Sequence, residues 1–215
     1  FTFSANKNEI VELVKDYVHP ETGKTYNVDK LELKTDEGRG FGKAKFILKE
    51  GGTLGDLYTH ADLKRDINGN ILIDDSGNVT AIDNAGDIKL GSVLPKGSLA
   101  WRNNFIWKNF TAGFLISARL GGVVYSRTQA MLDYYGVSEA SADARDLGYV
   151  LVNGRDKVNP ETWYGVVGSG TSVPQYYTYS ATNVRLQEVS LGYTIPRKLL
   201  NDVCDIKVSL VGRNL

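Results

Sequence analysis

Residues 181–196 read ATNVRLQEVSLGYTIP, and this stretch decides the fold. Valine, leucine and tyrosine alternate with glutamate, serine and glycine until Thr194-Ile195-Pro196 stops the pattern. A period of two gives a β-strand with one apolar and one polar face. The alternation leaves open which face meets water. With the apolar face inside, the strand belongs to a soluble β-protein; with it outside, that face meets lipid.

The same period recurs upstream. Leu99, Trp101, Phe105 and Trp107 alternate with Ser98, Ala100, Arg102 and Asn104. After Lys108-Asn109, one face carries Phe110, Ala112, Phe114, Ile116, Ala118 and Leu120, and the other carries Thr111, Gly113, Ser117 and Arg119. This predicts a hairpin over residues 97–120 with a tight turn. A second hairpin is predicted to join residues 182–193 to residues 205–214 across Pro196, and a third to span residues 1–14 around Asn6-Lys7-Asn8. Long connections, residues 15–96 and 121–180, fall between them. The first carries turn signals at Asn68-Gly69 and at Asp75-Ser76-Gly77-Asn78. The second reads partly helical, over residues 127–134 and 139–146, with Ser138 capping the latter.

Short connections at one end and very long ones at the other are unusual in compact domains and ordinary in outer-membrane barrels. Composition permits this. No run of 18 apolar residues occurs, so no membrane-crossing helix is predicted, which leaves a barrel as the spanning form. Lysine plus arginine number 25 and aspartate plus glutamate 25, a balance that argues against a nucleic-acid partner. No basic and apolar leader opens the chain, and a chain that begins and ends in strands is expected to be part of a longer one.

Within this all-β, antiparallel barrel reading, Phe114, Ile116, Ala118, Val189, Leu191 and Tyr193 are expected to face lipid, and Arg119, Glu188 and Ser190 the lumen. Trp107, Phe110 and Tyr193 fall where an interfacial aromatic girdle belongs. The open alternative is a soluble β-sandwich that binds surface glycans.

Little else reads as chemistry. His19 and His60 have no metal-ligand spacing, and the lone Cys204 is expected to be a packed thiol. Asp66, Asn68, Asn70 and Asp74 resemble a calcium loop, but glycine stands fourth instead of sixth and the twelfth residue, Gly77, is not glutamate. A plain Asn-Gly hairpin accounts for the same residues. Tyr176, Tyr177 and Tyr179 could stack on a sugar or contact a peptide, or anchor at an interface. No catalytic constellation stands out.

Asn183–Pro196 with Val211–Leu215, the segment Ala118–Ala130, Gly136-Val137-Ser138, Ala144-Arg145-Asp146, Leu90–Pro95 and Glu50–Tyr58 form a set of motifs. Together they resemble the C-terminal region of SusC/RagA-type TonB-dependent transporters. The resemblance covers nearly the whole chain and rests on the order of the motifs. It implies part of a large plugged barrel in the outer membrane of a Gram-negative bacterium, importing oligosaccharides or peptides. It further implies a SusD-like surface lipoprotein as partner, and contact with the TonB complex through an N-terminal region. The plug domain and the final strand are not among these residues. No cofactor is expected.

Overall fold

The computed structural model describes residues 1–33, 43–169, 173–196, 198 and 203–215. The chain divides into two compact units. One comprises Phe1–Lys7, Pro95–Gly122 and Ala181–Leu215; the other comprises Asn8–Leu94 and Val123–Ser180. Strands predominate, with a few short helices.

The first unit is an antiparallel sheet of five strands: β1 (Thr2–Ala5), β2 (Gly97–Trp107), β3 (Phe110–Leu120), β4 (Asn183–Ile195) and β5 (Ile206–Arg213). They lie side by side in chain order. Strands β2 and β3 form the predicted hairpin, closing with Trp107 opposite Phe110 around Lys108-Asn109. Lys108 takes a left-handed φ of 51°, as a two-residue turn demands. Asn109 ties this turn to the next strand: Thr194 N–H donates to its carbonyl at 2.8 Å, and its Nδ2 donates to the Thr194 carbonyl at 2.6 Å.

The register fixes which connections share an end. Tyr193 stands opposite Phe110 and Ile206 opposite Ile195, so the β4–β5 connection leaves and returns at the end that carries the Lys108-Asn109 turn. Part of that connection lies outside the described residues. At the other end Gly97 stands opposite both Ala5 and Leu120, and Asn183 opposite Arg119. Both long connections leave the sheet there.

One feature of β4 is not a simple alternation. Gln187 and Glu188 are consecutive polar residues, which breaks the period of two. Leu115 pairs with Glu188 while Ile116 pairs with Leu186, leaving Gln187 as the extra residue of a β-bulge. The bulge puts Val184 and Leu186 back on the face of Val189, Leu191 and Tyr193.

The N-terminal hairpin expected over residues 1–14 does not form. Thr2–Ala5 pairs with β2 instead, setting Phe3 opposite Leu99 and extending that apolar face. Ile10 exchanges backbone hydrogen bonds with Gly51 and Gly52 in the second unit, at 2.9 and 2.8 Å, and is buried there. Val14–Val18 pairs with Thr25–Val28. Non-local partners that could bury or extend apolar surface prevailed over the short local turn.

The second unit holds all the fully buried hydrophobic side chains of the described residues. One part is a four-stranded antiparallel sheet in the order Lys30–Glu32, Ala44–Lys49, Asp56–Thr59, Ile88–Ser92. Another is a core in which Leu63, Val79, Ala130, Trp163, Val167 and Tyr177 pack together. Three helices contribute to this unit: α1 (Arg127–Tyr134), α2 (Glu139–Leu147) and α3 (Pro160–Val167). The first two match the predicted spans, and the Ser138 side chain accepts from Ser141 N–H at 3.1 Å as the cap of α2. The third was not expected. Its signal was local: Asn159 accepts from Glu161 N–H at 2.8 Å, and Pro160 opens the first turn.

Candidate functional site: two opposite faces of one sheet

Paired residues in a sheet share a face, so the register sorts every side chain of the five strands. One face runs from Phe3 through Leu99, Trp101, Phe105 and Trp107 to Phe110, Phe114 and Ile116. It continues through Val184, Leu186, Val189, Leu191 and Tyr193 to Val208 and Leu210. No charged residue stands on this face, and Asn103 is its one amide. All six residues predicted to share a lipid-facing surface lie together on it.

That face is uncovered. Trp107 is 66% exposed, Val208 59% and Leu210 75%. A β-sandwich would bury such a surface against a second sheet. The rings are ordered along the sheet. Trp107, Phe110 and Tyr193 form a row at the turn end, with centroids 6.3 and 4.7 Å apart, and Trp101 meets Phe114 edge-on at 5.0 Å.

The opposite face is polar. Arg119, Glu188 and Ser190 all lie on it, as predicted from alternation. Arg102, Glu188 and Arg213 occupy one row across β2, β4 and β5. Glu188 receives Arg213 Nε at 3.1 Å and Arg102 at 3.5 Å. Arg185, Lys207 and Arg213 join this face without having been singled out in the sequence, although the alternation that placed Glu188 would have placed them too.

The remaining candidates lie in the second unit and play structural parts. Asp66 accepts from the backbone N–H groups of Asn68 and Asn70, each at 2.8 Å, and from Asn70 Nδ2 at 3.0 Å. Asp74 accepts from Ser76 and Asn78 N–H at 2.9 and 2.8 Å. The two segments are successive copies of one tight turn, with Gly69 and Gly77 at φ of 83° and 80°. Those hydrogen bonds hold both carboxyls below their ordinary pKa, the Asn70 side chain contributing most for Asp66 and the Asn78 N–H most for Asp74. Asp66 and Asp74 therefore each hold a tight turn, with Asn68 and Asn70 bonded to Asp66.

The tyrosines separate in the same way. Tyr177, 2% exposed, is part of the hydrophobic core, and burial pushes its phenol above the ordinary value with the nearby Asp133 charge adding to the shift. Tyr176 packs edge-on against Trp163 at 5.3 Å. Only Tyr179 is left exposed, so the three do not make a stacking platform. Cys204 is exposed rather than packed, because it lies in the segment entering β5 with no core beside it.

The sheet thus sets an uncharged apolar face against a charged one, on long antiparallel strands with short turns at one end. Known proteins resemble the chain. The chain is 25% identical to the TonB-dependent receptor P3 of Formosa agariphila, over all of this chain and 21% of that protein. It overlays a chain of the RagAB peptide importer in its closed-closed state with a TM-score of 0.59 at 16% identity, covering 99% of this chain and 22% of that one. The open-open state of that importer gives 0.53 at 15% identity, again over 99% and 22%. No family model matches the chain. The chain is thus similar to a TonB-dependent receptor and shares the fold of part of a RagAB peptide importer chain, and it spans about a fifth of the length of the proteins it matches.

Proposed function

We propose that the five strands form part of the wall of an outer-membrane barrel through which a Gram-negative bacterium imports oligosaccharides or peptides. TonB supplies the energy through parts of the protein outside these residues, and a SusD-like lipoprotein closes the long-loop end. The observation that carries this reading is the apolar face, continuous over five strands and without one charge. Strands of 11, 11 and 13 residues in β2, β3 and β4 reach or exceed the roughly 9–11 that a tilted strand needs to cross the hydrocarbon layer. The row of Trp107, Phe110 and Tyr193 at the short-turn end then lies at the periplasmic headgroups, where amphipathic rings are favoured. Polar residues of the other face line the lumen.

The test compares arginine at two neighbouring sites of β3 in the full-length protein. On the lipid side, Ile116→Arg puts a charge into hydrocarbon and costs about 2–4 kcal/mol. On the lumen side, Ser117→Arg meets Arg185 directly across the ladder, a like-charge pairing that costs about 1 kcal/mol or less. Heat-modifiable folded barrel in outer-membrane fractions should fall steeply for Ile116→Arg and little for Ser117→Arg. The opposite order means that the sheet has been read inside out.

A further inference from the structure

The polar face is not merely hydrophilic; it is basic. Arg102, Arg119, Arg185, Lys207 and Arg213 stand on it against one carboxylate, Glu188, although the chain as a whole carries equal numbers of acidic and basic residues. Glu188 is engaged with Arg102 and Arg213, so its charge is already shared between two guanidinium groups. Among the described residues Arg185 and Lys207 have no ion-pair partner, and both side chains are exposed.

The positions are spread along the strands. Lys207 stands opposite Thr194, the Arg102–Glu188–Arg213 row lies further along, Arg185 is opposite Ser117, and Arg119 is opposite Asn183. At about 3.3 Å per residue this ladder extends on the order of 35 Å. A low-dielectric wall bearing one sign of charge concentrates ligands of the other sign.

We propose that this face is a track for an extended acidic peptide, whose carboxylates pair in turn with Lys207, the Arg102–Arg213 row and Arg185. The proposal rests on the lumenal reading of the face given above, and names the cargo class. Three features favour a peptide over an anionic glycan. No aromatic ring stands on this face, so it offers no platform for sugar stacking. Its neutral members are largely serine, threonine and asparagine, suited to amide hydrogen bonding. An extended peptide also has the rise of the strands themselves, so its alternate side chains can meet charges spaced along them.

The experiment uses the full-length protein with its partner, in detergent, and fluorescence anisotropy of a labelled glutamate-rich peptide and its glutamine counterpart. At low salt the acidic peptide should bind about tenfold more tightly, an advantage that mostly disappears near 0.3 M salt. The double change Arg185→Gln with Lys207→Gln should remove most of that advantage while leaving the glutamine peptide's affinity unchanged. Equal binding of the two peptides, or an advantage that survives the double change, overturns the proposal. So does a charge-dependent preference for oligogalacturonate over the acidic peptide, which would make the cargo a glycan. A drop in melting temperature without any change in peptide binding would assign the cations to an acidic surface of the same protein, and overturns it too.

Cysteine labelling keeps the two readings apart. If Arg185→Cys reacts with a water-soluble maleimide and Val184→Cys with a lipophilic one, the face is lumenal, and a failed peptide arm then counts against the cargo alone. The reverse pattern removes both.

Discussion

Asp56 is almost without exposed surface, yet it carries a charge. Burial on its own raises a carboxyl pKa, but Lys89 Nζ at 2.5 Å and Thr53, through its N–H at 3.0 Å and its hydroxyl at 2.7 Å, outweigh it. The net shift is downward from 3.8. A carboxyl lowered in the folded state contributes stability that is complete above its unfolded value and lost as pH falls through the folded one. Amide exchange of strands 44–49 and 56–59 should therefore stay slow down to about pH 4 and accelerate below it. Asp56→Asn should flatten that acid limb, and at neutral pH should cost about 1–3 kcal/mol through weakened pairing of Thr53 and Lys89. Identical acid limbs in the two proteins would refute this role. The same scale explains why Asp66 and Asp74 resembled calcium ligands. A tight turn needs a carboxylate accepting successive N–H groups beside a glycine, which is also the opening of a calcium loop.

Single elements were legible wherever a period or a cap is written locally. The β2–β3 hairpin follows from alternation around Lys108-Asn109, and the start of α2 from its capping Ser138. Choices among distant partners were not legible. Residues 1–5 held a strand pattern, but the pattern does not say that β2 rather than residues 9–14 is the partner. The bulge at Gln187 is an intermediate case, visible as two successive polar residues but given meaning only by the strand alongside. It has a measurable consequence. Deleting Gln187 removes the extra residue and sets Leu186 next to Glu188, so Val184 and Leu186 keep the apolar face, Arg185 keeps the polar one, and the ladder opposite Leu115 and Ile116 becomes regular. Deleting Ser190, where the ladder is already regular, instead puts Val189 on the polar side and Glu188 on the apolar one. Deletion of Ser190 should therefore reduce folded protein in the outer membrane far more than deletion of Gln187. Equal losses would contradict the register described.

At the level of the whole molecule the two units differ in what stabilises them. The second has a buried hydrophobic core, whereas the sheet of the first contributes no fully buried hydrophobic side chain among the described residues. In the sheet the apolar side chains are gathered on one face and left uncovered, and the charges are gathered on the other. Water-soluble proteins rarely expose contiguous apolar surface beyond a few hundred Å². A face of five strands carrying Trp101, Phe105, Trp107, Phe110, Leu191 and Leu210 therefore needs an apolar environment. The 215-residue chain produced alone should sediment as aggregate in aqueous buffer and disperse in a detergent or amphipol. Replacing Phe105, Leu191 and Leu210 together by serine should shift it toward the soluble fraction, because each lies at an exposed apolar position. The matching triple change on the polar face, Ser98, Ser190 and Ser209 to alanine, should leave its solubility unchanged. Sedimentation velocity decides between the outcomes: a monodisperse monomer of the unaltered chain without detergent would mean that the apolar face is covered by the chain itself, and the barrel wall would have to be abandoned.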